Sequence, residues 1–200
     1  MSKGEHTRQH IIIKSANLFN KKGYAGTAMS HIMDATGLEK GGIYNHFPNK
    51  NAIALEAFDY AMQQLNQHMS EAVEGIESPL ERLIIFIKSF GVYRDEDWIE
   101  GGCPIMNTAI DADDTHEELR DKALDALKLW EHIISRRLEK AIALGEARSD
   151  TDIVAFATLA ISSLEGAVML SRIHDDFTHL NRVIAHLINV IERDIKISNE

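Results

Sequence analysis

Apolar positions recur at helical spacing along almost the whole chain. Residues 6–22 place Ile12, Ala16 and Phe19 on one side and stop at Gly23, a residue suited to the position just past a helix end. Thr27 can N-cap a second short helix with Met29, Ile32 and Met33 facing inward, and Gly37 ends it. A third short helix spans about 39–45, and Pro48-Asn49 breaks the chain before a long helix over about 50–74. Ser78-Pro79 then opens a helix carrying Leu80, Leu83, Ile84, Ile87 and Phe90 on one side. The acid- and glycine-rich "RDEDWIEGGCP" interrupts the pattern. A short helix over 104–111 and a long one over 115–144 follow, the latter carrying Leu119, Ala123, Leu127, Trp130, Ile133, Ile134 and Leu138, with Gly145 at its end. Two more helices, about 151–173 and 177–196, close the chain. No run of alternating apolar and polar residues with turn signals is convincing, so the pattern predicts an all-α protein of about nine helices.

Composition changes this picture little. The 200 residues are 44% hydrophobic and 26% charged, as expected of an ordinary globular protein with a core of its own. The single cysteine, Cys103, excludes an intramolecular disulfide and fits a reducing compartment. The polar start "MSKGEHTRQH" has no signal-peptide core, and no apolar run is expected to approach the roughly 20 residues of a membrane span. A cytoplasmic protein with no membrane partner is the expectation.

Charge changes the picture more. The net charge of −10 argues against a polyanionic partner until its distribution is considered. Residues 1–50 hold seven Lys/Arg against three acids, whereas residues 51–200 hold 14 against 28. A basic head on an acidic body can dock on a polyanion in one orientation, because the body is repelled.

The head has the form this requires. Gly37 supplies a sharp turn between two short helices, the arrangement of a helix-turn-helix whose second helix enters the major groove. Ile32, Leu38, Ile43 and Phe47 can bury the back of the pair. Lys40, Gly41, Gly42, Tyr44, Asn45 and His46 are left outward, a mixture of donors and small residues. Gly23-Tyr24, Thr27, Gly37, the run "KGGIYNHF" over 40–47 and Lys50 resemble the signature of the TetR-type bacterial transcriptional regulators, over about residues 8–58. The resemblance implies phosphate contacts from Thr27, Tyr44, His46 and Lys50. It also implies groove-floor positions at Lys40, Gly41, Gly42 and Asn45, with Ala28 and Met29 near the edge. Packing of Tyr44 against the first helix and capping of the third helix by His46 are the alternatives. Two residues depart from the family: Glu39 replaces the usual Ser or Thr N-cap, and Gly42 stands where Thr, Ala or Ser is common. A carboxylate at Glu39 favours the helix N-terminus but would repel a phosphate.

The resemblance further implies two domains, a helix-turn-helix domain over 1–50 and a ligand-binding and dimerisation domain over 51–200. Its partners would be a palindromic double-stranded DNA operator, a small-molecule effector, and a second copy bound through the last two helices. The small residues of "AFATLAISSLEGA" (155–167) would let helices approach closely, and the last helix offers a wide apolar surface. "GGCPIMNTAID" (101–111) resembles a subgroup with a Gly-Cys-Pro segment opening the sixth helix. Phe90, Tyr93, Cys103, Met106, Asn107, Trp130, Glu165 and Met169 are candidates to line one cavity; the same spacing also suits plain core. Glu165 could meet a ligand, Arg172 or the other subunit.

Cys103 as a redox sensor would need a lowered pKa, which the neighbouring "DEDWIE" acids oppose, and no motif makes it a nucleophile with His132 as base. A buried inert thiol is the expectation. The ten histidines form no ligand spacing, so neither a metal nor a cofactor is expected. The function expected is that of a ligand-responsive regulator, a repressor released from its operator by an inducer. The alternatives are an activator, a constitutive DNA-binding regulator, and an all-α enzyme or carrier using Cys103 or Glu165.

Overall fold

The computed structural model describes residues 2–94 and 99–197. Among the described residues there are nine α-helices and no strand, with one isolated antiparallel bridge between Ala147 and Lys196. The helices are α1 (Lys3–Gly26), α2 (Met29–Thr36), α3 (Lys40–Tyr44), α4 (Lys50–Ala72), α5 (Pro79–Ser89), α6 (Pro104–Ala112), α7 (Glu117–Ala143), α8 (Ile153–His174) and α9 (Thr178–Val190). A 3₁₀ turn at Phe90–Arg94 and a π turn at Ile191–Ile195 extend α5 and α9. Three of the acids weighed for Cys103 (Asp95, Glu96 and Asp97) lie outside the described residues.

The chain divides into two compact units: Met1–Leu65 with Glu96–Ala126, and Asn66–Asp95 with Leu127–Glu200. The first unit thus holds α1 to α3, most of α4, all of α6 and the start of α7. The division expected after residue 50 falls at the first residue of α4, inside this unit.

In the first unit α1 opens on a capping box: Ser2 Oγ accepts the Glu5 N–H at 3.2 Å, and the Glu5 carboxylate accepts the Ser2 N–H. The helix is broken at Gly23, whose φ of 70° and ψ of 173° are not helical; one further turn follows to Gly26. Ile11, Ile12, Ile32, Ile43, Phe47 and Ile53 form the buried core of the head, with Leu18, Met33 and Leu38 packed around it. Burying a side chain of this size is worth about 1.5–3 kcal/mol. Ile43 and Phe47 therefore more than offset the roughly 1 kcal/mol that each of Gly41 and Gly42 costs in helix propensity.

Thr27 does not cap α2 as its position suggested. The N-cap is Ala28, which makes no side-chain cap; the Thr27 hydroxyl instead donates to Gly23 O at 2.8 Å, back into α1. A β-branched residue beside a free helix end satisfies that end's carbonyls when the chain turns too late for it to face the next helix.

The second unit is built around an aromatic cluster. Phe86, Phe90 and Trp130 meet edge to face at centroid distances of 5.0–6.2 Å, and Tyr93 joins Phe90 at 5.9 Å. Ser78 caps α5 by accepting the Glu81 N–H, and Glu146 accepts from the Ser78 hydroxyl at 2.7 Å and the Leu80 N–H at 3.2 Å. That carboxylate fixes the α7–α8 turn on the N-terminus of α5. Asp152 caps α8, which packs against α9; the buried Ser171 Oγ accepts the Leu180 N–H at 3.0 Å.

One expectation is corrected here. By length and composition α8 is long and apolar enough to cross a membrane, and 44% of its most apolar stretch is buried in this fold. Its sole acid, Glu165, and its serines obscured the length of the run at the level of sequence.

Candidate nucleic-acid interface

Gly37 leaves α2 in the left-handed region (φ 67°), with its N–H on Met33 O at 2.8 Å. This turn lets α3 start only three residues later. Thr36 assists, its hydroxyl donating to Ile32 O at 2.7 Å. Ile43 and Phe47 then fasten α3 to the core from within (0% and 1% exposed), which fixes what is left outside.

Outside stand Lys40, Gly41 and Asn45, all exposed, and Tyr44, 40% exposed. The Lys40 ammonium lies 5.7 Å from the Tyr44 ring centroid, so the two form one surface. Gly42 and His46 are half-buried. Ala28 is exposed, and Met29 is half-buried against the core cluster. A Cβ added at Gly41 would meet nothing within 4 Å, so this part of α3 is open and has no side chain. Such a surface admits the edge of a base pair close to the backbone.

Thr27 and Lys50 are placed differently from the rest. Thr27 is fully buried, its hydroxyl committed to α1. Lys50 donates from Nζ to Tyr24 O at 2.8 Å and Thr27 O at 3.0 Å, and lies 3.9 Å from the Tyr24 ring centroid. The ammonium thus neutralises the negative end of α1. Burial pushes the Lys50 pKa down, and the Asp111 carboxylate pulls it partly back.

A polar tie between α1 and α6 escaped the sequence reading. Asn107 donates to Asn20 O and Asn20 Oδ1, both at 3.0 Å, and to Gly101 O at 2.8 Å. Asn20 in turn donates to Glu100 O and Gly102 O, both at 2.9 Å. Asp111 accepts the Tyr24 N–H at 2.6 Å, and Lys21 pairs with Glu100. The only signal in the sequence was Asn20 on the apolar face of α1, one residue after Phe19.

The eight residues expected to line one cavity fall into two groups. Cys103 is fully buried at the N-cap of α6, and Met106 and Asn107 are half-buried on that helix, all in the first unit. Asn107 borders a cleft of only about 30 Å³, the size of one water. Phe90, Tyr93 and Trp130 belong to the aromatic cluster of the second unit, where Glu165 is half-buried and Met169 is 42% exposed. Among the described residues no group of three or more His, Cys, Asp or Glu is placed to hold a metal.

A three-helix head of this geometry, with a glycine turn and an outward-facing second helix, is a helix-turn-helix DNA-binding domain. The family model "Bacterial regulatory proteins, tetR family" matches residues 11–57, and "Tetracyclin repressor-like, C-terminal domain" matches 79–187. A crystal structure of a TetR transcriptional regulator from Chloroflexus aurantiacus J-10-FL superposes with a TM-score of 0.94 at 41% identity, over 99% of this chain and 100% of that one. A TetR-family transcriptional regulator from Cytophaga hutchinsonii gives 0.89 at 36% identity, covering 100% of this chain and 99% of its own. The HTH-type transcriptional regulator YxaF of Bacillus subtilis (strain 168) is 30% identical over 194 residues, 96% of this chain and 97% of its own. The chain belongs to the TetR family of bacterial transcriptional regulators, which bind DNA operators, typically dimerise, and are not enzymes.

Proposed function

We propose that this protein is a homodimeric repressor that a small molecule releases from a palindromic operator. The observation that carries the reading is the outer surface of α3: Lys40, Tyr44 and Asn45 project beside the bare backbone of Gly41. Lys40 and Asn45 read base edges, with Gly41 and Gly42 admitting the backbone and Ala28 and Met29 at the margin; Tyr44 and His46 hold phosphates. Lys50 and Thr27 act through the fold, by holding the end of α1 and so the entry to α2.

The second copy docks on α8 and α9. Along α8 the exposed residues Ala155, Leu159, Ser162, Leu170 and Ile173, with the half-buried Gly166 among them, recur every three or four positions, a stripe of small and apolar side chains. Leu159 is 61% and Ile173 73% exposed, and a Cβ at Gly166 would meet nothing within 4 Å. This is the surface that gives α8 its membrane-like composition, and a partner helix covers it. Two heads then engage successive major grooves of one operator, and the protein works in the cytoplasm.

An effector in the body releases DNA only through a difference in its affinity for the two states. The tie from α6 to α1 supports such coupling, since any shift of α6 pulls on the helix that carries the head.

Footprinting on the DNA upstream of the protein's own gene, with transcription measured in a deletion strain, tests the reading. A protected inverted repeat and raised transcription on deletion are expected. Lowered transcription with the same footprint would make the protein an activator.

A further inference from the structure

The second unit carries an open groove of about 550 Å³ between the C-terminal end of α4, α5 and α7, within the range of small-molecule sites. Its floor is apolar: Met69, Val73 and Phe86 are each 5% exposed or less. Leu129 and Ile133 of α7 continue that surface. Its wall is cationic. Among the described residues Arg82, Arg136, Arg137 and Lys140 all line it, against a single acid, Glu77. Residues 51–200 hold twice as many acids as Lys/Arg, so four of their 14 basic residues on one groove is a concentration against the trend.

Arg137 is the most telling of the four. Its guanidinium lies 5.2 Å from the Phe86 ring centroid and donates to Arg82 O at 2.9 Å, while its neighbouring charge is Arg82 rather than a carboxylate. Burial, and then the Arg82 charge, push its pKa down to about 10. A cation held this way on an apolar floor is stabilised by an arriving anion. Arg136, by contrast, already pairs with Glu139 at 2.8 Å.

We infer that this groove binds an anionic amphiphile, an apolar chain ending in one carboxylate or phosphate, as the effector that releases DNA. The head group meets Arg137 and Arg82, with Lys140 beside them, and the chain lies along Met69, Val73 and Phe86. The inference rests on the ligand-released reading above and names the chemistry of its ligand.

Calorimetric titration of the full-length protein tests it, using decanoate, decyl phosphate and decanol, each below its micelle concentration, and inorganic phosphate. Decanoate or decyl phosphate is expected to bind at least about tenfold more tightly than decanol, and inorganic phosphate at least about tenfold more weakly than decyl phosphate. Whichever anion binds more tightly identifies the head group. Arg137→Met and the exposed-rim variant Arg82→Gln/Lys140→Gln should each weaken that probe about tenfold and leave decanol unchanged. The same probe should lower operator affinity of the wild type. Equal affinity for the anions and decanol, binding unaltered in both variants, or operator affinity indifferent to a bound probe would each overturn the inference. Operator binding without any probe is measured alongside. If it is intact while no amphiphile acts, only the ligand assignment fails; if it is absent, the regulator reading fails first.

Discussion

At the scale of single residues, the glycines separate into those the fold requires and those the surface requires. Gly101 has a φ of 112°, and an added Cβ would stand 2.7 Å from Asn20 O, a backbone atom that cannot retreat. Gly23 has a φ of 70°, and its Cβ would press on Asp111 at 2.5 Å. Gly101→Ala and Gly23→Ala should each destabilise the protein, by about 1–3 kcal/mol, measured by urea denaturation. Gly42 is a different case. Its added Cβ would meet only Leu38 Cβ, at 3.8 Å, an ordinary contact. Gly42→Ala should stabilise the protein by up to about 1 kcal/mol and change the consensus recovered by binding-site selection. An unchanged consensus would leave Gly42 as no more than a weak point in a short helix.

At the scale of elements, helix ends were legible because their signals are local. Ser78-Pro79, Gly37 and Gly145 each act within one turn of themselves, and all three mark ends in the structure. Thr27 was misread because two helix ends compete for one hydroxyl, and α1 takes it. The α1–α6 tie was illegible for another reason: Asn20 and Asn107 are 87 residues apart, and neither side chain announces its partner. Arg82 and Arg137, 55 residues apart, are equally silent until α5 and α7 meet. Breaking the tie should show its strength. Asn107→Leu removes three hydrogen bonds and strands partly buried acceptors on Asn20 and Gly101, so a loss of about 1–3 kcal/mol is expected by thermal or urea unfolding. No loss of stability would mean that water replaces the amide there.

At the scale of the whole molecule, the basic first 50 residues foresaw a DNA-binding head, and the apolar excess of the last two helices motivates the proposed dimer surface. The first unit proved larger than the head, because α6 joins it through contacts remote in sequence. The expected cavity residues fared differently, since an aromatic at helical spacing serves a core and a pocket equally well. Phe90 and Trp130 are fully buried in the aromatic cluster. The proposed dimer surface is tested by Leu159→Glu and Ile173→Glu, whose side chains stand largely outside the core at 61% and 73% exposure. Each should shift the protein from dimer to folded monomer in light scattering after gel filtration, with helix content unchanged. A dimer that survives both substitutions would move the interface elsewhere. A monomeric protein loses the second head, so its operator affinity should fall by at least about a hundredfold.

The most direct measurement is fluorescence anisotropy of the protein's own upstream DNA, titrated with wild type and with Lys40→Ala over a series of salt concentrations. For the wild type, binding should be tight at low salt, and log affinity should fall steeply and linearly with log salt concentration as phosphate contacts release counterions. Lys40→Ala should weaken that site by about 1–3 kcal/mol while leaving non-specific DNA less affected, because the proposed role of Lys40 is to read a base edge. Affinity indifferent to salt, or a Lys40→Ala protein that binds its upstream DNA as the wild type does, would contradict the assignment of α3 as the reading surface.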